Sequence, residues 1–342
     1  MKKPKNSTTI RDVARLADVS VATISRYLNN NTLLSKETAQ RVQAAMNELN
    51  FSPHPVARSL ATNRTNTIGL VMNDIAGDFF TPLLEGIIAT TEEQNYNLLI
   101  YTSNRTKHAN PILFGPKYTD GLLVFLNGLE EEDLINLHQS NQPIVLIHHS
   151  APEGLNIPTV TIENKAGSKA IVSHLIEAHQ RKRIVFLRGP AGNEDSSWRE
   201  TGYRQALESH GFAIDESLIL QGNFDRFTSQ ESMRTLIQAG IQFDAVFTGD
   251  DDAAIGTLAA LKEANLHVPE QVSVVGFDDQ RLAPFLTPAL STVHAPTDQV
   301  GMTAARHLLK LIRHEPVESV ILLPTELILR NSCGCSQAIS TE

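Results

Sequence analysis

The feature that most constrains this chain is a change of hydrophobic period at Thr67. Before it, apolar residues recur at helical spacing in three short segments. Beyond it, short apolar runs alternate with longer amphipathic stretches. The first pattern builds small helices; the second builds parallel sheets with helices on both faces. A chain of 342 residues is also long for one ordinary domain.

In the first segment, Ile10, Val13, Ala14 and Ala17 fall on one helix face. Thr9 is placed to cap that helix, with Asp12 reaching back toward it. Asp18-Val19 forms a tight connection, and Ser20 caps a second helix over Val21–Leu28. A third runs from Ser35 to about Asn50, with Val42, Ala45, Met46 and Leu49 as its apolar stripe. Two short helices at a tight turn, closed by a third, form a helix-turn-helix. Such a unit lays the N-terminal residues of its second helix against base edges in the major groove. Val21, Ala22, Ser25, Arg26 and Asn29 face outward there. Arg26 can bond guanine O6 and N7 together, and Val21 and Ala22 offer methyl contacts. Thr9, Ser20, Thr23 and Asn29 suit phosphate oxygens. By pattern alone, a three-helix protein-interaction module with a solvated Arg26 fits equally well.

Charge separates the same two regions. Residues 1–66 carry ten Lys/Arg against four Asp/Glu, a net +6, which leaves −15 on the remainder of a chain totalling −9. A basic head on an acidic body presents one end to a polyanion. No apolar stretch follows the basic first residues, so no secretory signal is expected, and no apolar run approaches a membrane span. The two cysteines, Cys333 and Cys335, are too close for an unstrained bridge, and two thiols alone make a poor metal site. A reduced cytoplasm follows, at the nucleoid if the head binds DNA, with no metal and no cofactor.

In the body, strands are expected at Ile68–Met72, Leu98–Tyr101, Gly121–Phe125, Ile144–Ile147 and Val160–Ile162. Others are expected at Ile184–Leu187, Leu218–Leu220, Ala245–Phe247, Val272–Val275 and Thr325–Leu329. Helices at 79–93, 165–179, 196–210, 228–239, 251–264 and 297–313 lie between them. So many strands divide into two doubly wound parallel-sheet lobes, and ligands of such folds bind beyond the strands' carboxyl ends. Polar and aromatic residues placed there are Asp78, Phe79, Phe80, His148, His149, Trp198, Arg199, the aspartates Asp250, Asp251 and Asp252, and Asp278 and Asp279. Carboxylates accept hydroxyl protons, arginine donates from a fixed fork and aromatic faces cover C–H surface, which suits a polyol. Competing roles stand beside these. The aspartates at 250–252 could cap the helix that follows, Asp251 first among them. His148 either touches ligand or is packed away, and Trp198 either stacks on ligand or shields the pocket. The sequence holds no nucleophile elbow, phosphate loop or His-Glu metal helix, so no enzyme and no catalytic residue is expected. A transport-type solute-binding protein would need a signal peptide and no helix-turn-helix. A purely architectural DNA protein would leave the acidic body unexplained.

The run Thr9-Ile10-Arg11-Asp12-Val13-Ala14 … Val19-Ser20-Val21-Ala22-Thr23-Ile24-Ser25-Arg26, followed by Ser35-Lys36-Glu37-Thr38 and Ala57-Arg58-Ser59-Leu60, resembles the signature of the LacI/GalR family of transcriptional regulators. The likeness extends over nearly the whole chain. It implies a helix-turn-helix headpiece at 1–52, a hinge helix and linker at 53–66, and a periplasmic-binding-protein-like effector and dimerisation domain at 67–342. By the same resemblance the chain crosses between lobes three times, giving about 67–163 plus 296–323 and about 164–295 plus 324–342. A helix as short as 54–61 is unstable alone and forms only when held. The resemblance implies that paired hinges drive Leu60 into the minor groove, with Ala57 near the groove floor and Arg58 near phosphate. Val21-Ala22 with Arg26 is similar to the galactose-repressor-like subgroup, whose operators centre on CpG. Arg199, Asp250 and Asp278 match effector-bonding positions, and Phe80 and Phe224 match flanking ones. The family function is repression from double-stranded operator DNA by a homodimer that a small effector, commonly a sugar, releases. Two departures stand out. Tyr27 replaces a small aliphatic residue and should alter packing on the third helix, and Pro111, Gly115 and Pro116 break a helix expected within 103–119. The tail after Arg330 has no leucine heptad, so a coiled-coil tetramer is not expected.

Overall fold

The computed structural model describes residues 8–28, 34–51, 64–73, 75, 77–102, 115, 117–126 and 128–336. Asn29, the hinge with Ala57, Arg58 and Leu60, and residues 103–114 lie outside the described residues. The chain divides into two compact units, Met1–Asn66 and Thr67–Glu342.

In the first unit, α1 (Ile10–Leu16), α2 (Val21–Leu28) and α3 (Lys36–Glu48) enclose Val13, Ala14, Ala17, Ile24, Val42 and Ala45. Ile24 is fully withdrawn from water, worth roughly 1.5–3 kcal/mol to a small core. The Asp12 carboxylate accepts from the Thr9 N–H (3.0 Å) and hydroxyl (2.7 Å), fastening the start of α1. Asp18 makes the turn in the left-handed region, φ +53°, which aspartate tolerates better than branched residues. Ser20 accepts from the Thr23 N–H at 3.1 Å and so caps α2. Tyr27 reaches α3, its hydroxyl donating to Gln43 Oε1 at 2.6 Å.

The second unit is α/β. β1 (Thr67–Met72), β2 (Asn97–Thr102), β3 (Gly121–Phe125), β4 (Ile144–Ile147), β5 (Thr159–Ile162) and β11 (Val320–Leu323) form a parallel sheet ordered β11-β5-β4-β3-β1-β2. β6 (Ile184–Arg188), β7 (Ile219–Gln221), β8 (Ala245–Thr248) and β9 (Ser273–Val275) form a second, ordered β7-β6-β8-β9. β10 (Thr292–His294) and β12 (Glu326–Ile328) pair antiparallel. Every residue of β3 and β4 is buried, which explains their unbroken apolar runs between two helical layers. The helices are α4 (Phe80–Glu93), α5 (Glu131–Gln139), α6 (Asn164–His179), α7 (Glu194–Ser209), α8 (Arg226–Gln238), α9 (Asp251–Glu263) and α10 (Thr297–Ile312). One apolar cluster runs from Ile68 and Val145 through Ile171 and Leu175 of α6 to Phe186 and Phe247 of the second sheet.

Among the strands and α-helices of the described residues, α5, β10 and β11 were not named from the sequence. The cap of α9 also needs correcting. Asp250, not Asp251, accepts from the Ala253 N–H at 2.9 Å. Asp251 is the first helical residue, and its carboxylate takes the Thr292 hydroxyl (2.6 Å) and the Gln280 N–H (2.7 Å).

Candidate functional site

A cleft of about 880 Å³ opens at the carboxyl ends of strands from both sheets. Asp78, Phe80, Arg199, Phe224, Asp250 and Asp278 all line it. Each reaches it from just beyond a strand: Asp78 and Phe80 after β1, Phe224 after β7, Asp250 after β8, and Asp278 after β9. Arg199 comes from α7, the helix following β6.

Arg199 is the centre. It is buried, and its Nε donates to Asn164 Oδ1 (2.8 Å), one Nη to the Gly249 carbonyl (2.5 Å) and the other to Asp278 Oδ1 (3.1 Å). The guanidinium lies 3.8 Å from the Phe277 ring centroid, a cation–π contact that fixes its plane. The Phe224 ring centroid also lies 5.5 Å from the guanidinium. Phe224 can stand there because residue 189 is glycine: a Cβ at Gly189 would meet the ring at 2.3 Å.

The cleft is short of positive charge. Burial and the neighbouring Asp278 charge push Asp250 up to about 8. Burial lifts Asp278 to about 6, with Arg199 pulling the other way. Burial, then Asp278, also raises Asp251 well above the ordinary carboxylate value. Asp195 behaves oppositely. Burial works to raise it, but His148, Arg199 and the Asn164 amide outweigh that and hold it low. At neutral pH the cleft therefore holds an ionised Asp278–Arg199 pair beside a protonated Asp250. Such a site can accept and donate hydrogen bonds to hydroxyl groups without activating any of them.

His148 and Trp198 line a different space, a neighbouring pocket of about 460 Å³ that shares Asp195 with the cleft. His148 is buried among Phe79 and Phe125, with ring centroids at 5.8 and 5.5 Å. Its Nδ1 stands 2.9 Å from Asp195 Oδ2, poorly aligned for a hydrogen bond. Trp198 is 46% exposed, and its indole N–H donates to Glu194 at 3.3 Å. Both residues line the adjoining pocket and not the cleft itself. Asp252, a candidate from the sequence, also lines the cleft, whereas sequence reasoning overlooked Asp195, Asn223, Arg226 and Gln280 on the same lining. Their signal was the same as that of the residues selected, a polar group soon after a strand or at a helix start.

In the headpiece unit, Val21, Ala22 and Arg26 are exposed on α2 while Ile24 turns into the core. Thr23 and Ser25 are half-buried, and Thr9 and Ser20 are exposed. The Ser20 and Thr23 hydroxyls bond each other at 2.9 Å, so both serve the cap here.

Residues 9–54 match the family described as bacterial regulatory proteins, lacI family, and residues 172–333 match the periplasmic binding protein-like domain. The chain is 33% identical over 333 residues to the HTH-type transcriptional regulator RegA of Clostridium saccharobutylicum, covering 95% of this chain and 99% of the relative. Among solved structures, the transcriptional regulator CelR–cellobiose complex superposes with a TM-score of 0.71 at 28% identity, over 95% of this chain and 99% of that one. The lac repressor dimer bound to operator and the anti-inducer ONPF gives 0.84 at 24%, over 96% and 99%, a likeness of fold. This chain, with its three-helix head and its two-lobed α/β body, belongs to the LacI family of bacterial transcriptional regulators.

Proposed function

We propose that the protein is a dimeric repressor of sugar uptake or catabolic genes, acting in the cytoplasm and released from its operator by a sugar. The buried Arg199–Asp278 pair, with Phe224 and Phe277 against its guanidinium and a protonated Asp250 beside it, carries the reading. It supplies a fork donor, a charged acceptor, a neutral acid and an aromatic wall, the set a polyhydroxylated ligand uses. A relative solved with cellobiose supports the ligand class. Asp78, Phe80 and Phe224 complete the ligand contacts.

Operator readout falls to Val21, Ala22, Ser25 and Arg26, with Thr9, Ser20, Thr23 and Asn29 on phosphates. One helix-turn-helix reads only a half-site, so specific binding calls for two chains on a pseudo-palindrome, with a CpG centre by likeness to the galactose-repressor subgroup. Leu60 wedges that centre from the hinge, flanked by Ala57 and Arg58. Sugar in the cleft changes the spacing of the two hinges and lowers operator affinity, a coupling of typically ~1–3 kcal/mol.

Operators would be selected from a random duplex library with the purified protein. Monosaccharides, disaccharides, nucleosides and sugar phosphates would then be screened by thermal shift and by operator anisotropy. A sugar that raises the melting temperature and releases the operator is the expected result. Equal binding to every duplex, or a response confined to nucleosides, would overturn the proposal.

A further inference from the structure

The two cysteines were expected to lack partners for a metal. The fold supplies them. His174 and His179, near the end of α6, meet Cys333 and Cys335 of the C-terminal segment, with one donor atom from each within 4.8 Å of every other. We propose that these four side chains form a closed tetrahedral site for a divalent cation of the zinc type, which staples the C-terminal segment to α6.

The separations carry this. His174 Nε2 and His179 Nε2 are 3.2 Å apart. Cys335 Sγ lies 3.4 Å from both of those nitrogens, and Cys333 Sγ lies 3.8 Å from His174 Nε2. With Zn–N of about 2.05 Å and Zn–S of about 2.3 Å, a regular tetrahedron has edges of about 3.3 Å between nitrogens and about 3.5 Å between nitrogen and sulfur. The observed edges already approach these values. Both imidazoles present Nε2, and neither cysteine is in a disulfide.

Two further features fit a metal better than a chance cluster. The residue between the cysteines is Gly334, in the left-handed region at φ +112°. A Cβ there would press on His179 Nδ1 at 3.0 Å. Glycine thus lets the chain reverse tightly enough for both thiols to face the histidines. Ser291 donates to Cys333 Sγ at 3.1 Å, the kind of outer hydrogen bond that steadies a ligating thiolate.

A two-sulfur, two-nitrogen set selects zinc over magnesium or calcium, and four protein ligands leave no open coordination position. The site is structural. The cysteine segment is held to the second sheet by the Ser273 hydroxyl bond to the Cys333 carbonyl (2.7 Å) and the Ser332 hydroxyl bond to the Val274 carbonyl (2.6 Å). A bound cation adds a direct tie between this tail and the helix whose first residue, Asn164, holds Arg199 in the cleft.

The test uses the full-length protein without a polyhistidine tag, reduced and loaded with Zn2+ or Co2+. One metal per chain should survive extensive dialysis. The cobalt form should show tetrahedral ligand-field bands and a thiolate-to-cobalt charge-transfer band. Cys335→Ser and His179→Gln, at partly exposed positions, should keep the wild-type circular dichroism. Each should weaken zinc binding at least tenfold, and Cys335→Ser should diminish the charge-transfer band. Zinc should raise the melting temperature of the wild type and not of either variant. Substoichiometric metal after dialysis, an octahedral cobalt spectrum, or unchanged zinc affinity in both variants would overturn the assignment.

Discussion

Arg199 and Asp278 form an ion pair, Nη2 to Oδ1 3.1 Å, in which each side chain is nearly closed off from solvent. A buried pair adds little stability over an apolar substitute, but breaking one strands the remaining charge. Arg199→Ala should therefore cost about 3–5 kcal/mol, read as a shift of the urea midpoint at neutral pH. Arg199→Lys keeps the charge and loses the fork to Asn164 and Gly249, so it should fall between wild type and Ala. Neither variant should retain the sugar response. A midpoint unmoved by Ala would mean that Asp278 does not depend on this cation.

Asp250 gives the cleft a pH signature. In the folded chain it holds its proton up to about pH 8, against an ordinary value of 3.8. Between those limits the folded state binds more protons than the unfolded one, so stability falls as pH rises and levels off above about 8. Asp250→Asn removes the titration while its amide oxygen still accepts from the Ala253 N–H, since asparagine caps as well as aspartate. Melting temperatures from pH 5 to 9 should show the variant gaining on the wild type as pH rises. Each pH unit inside the window contributes at most about 1.4 kcal/mol. Parallel curves would show that Asp250 is ionised throughout.

One loop of the first lobe is tied to α7 by a single carboxylate. Glu194 accepts from the Ser150 N–H at 2.8 Å and from its hydroxyl at 2.6 Å. Ser150 is exposed and Glu194 half-buried, so Glu194→Ala should change global stability by no more than about 1 kcal/mol. The lobes would nevertheless lose a tie beside Asp195, and sugar affinity should drop several-fold by calorimetry. Unchanged affinity would assign the bond to the surface alone.

The residues that were legible share one property: their meaning lies within a few positions of themselves. The i, i+3, i+4 stripe of α1 and the all-apolar β3 and β4 announce their own burial. By contrast, α5 buries only Leu134 and Leu137, too narrow a stripe to stand out, although Glu131, Glu132 and Asp133 in its first turn mark a helix start. β11 alternates exposed and half-buried residues at the edge of its sheet, and β10 is three residues long, so neither presents an apolar run. His148 shows the limit for the cleft. Its place just after β4 was legible, but the turn of its ring toward Phe79 and Phe125 depends on aromatic packing from other segments. The four donors around Cys335 lie farther beyond reach, because more than 150 positions separate the histidines from the cysteines.

Tyr27 shows how a departure from the family pattern is accommodated. Its hydroxyl donates to Gln43, which in turn donates to Asn47 at 2.9 Å, so the ring ties α2 to α3 through a short polar chain. Tyr27→Phe should lower headpiece stability by about 0.5–1.5 kcal/mol while leaving the body untouched. Amide exchange of α2 and α3 in the full-length protein measures this directly. Faster exchange in those helices and none elsewhere is the expected pattern, and equal exchange would mean that solvent replaces the bond without loss.

Arg26 is the residue on which operator choice should turn. It is exposed on the last turn of α2, and the neighbouring Val21 and Ala22 are too small to obstruct a base edge. A bidentate arginine–guanine contact is worth about 1–3 kcal/mol of discrimination against a wrong base, and a dimer makes it twice. Arg26→Ala should therefore bring operator affinity down toward that for scrambled DNA. The background binding to any duplex should remain, and it should stay steeply salt-dependent because it rests on phosphate contacts. Anisotropy titrations of operator and scrambled duplexes at two salt concentrations separate these effects. Should the variant still prefer its operator as the wild type does, base readout would have to come from Val21, Ala22 and Ser25 without it.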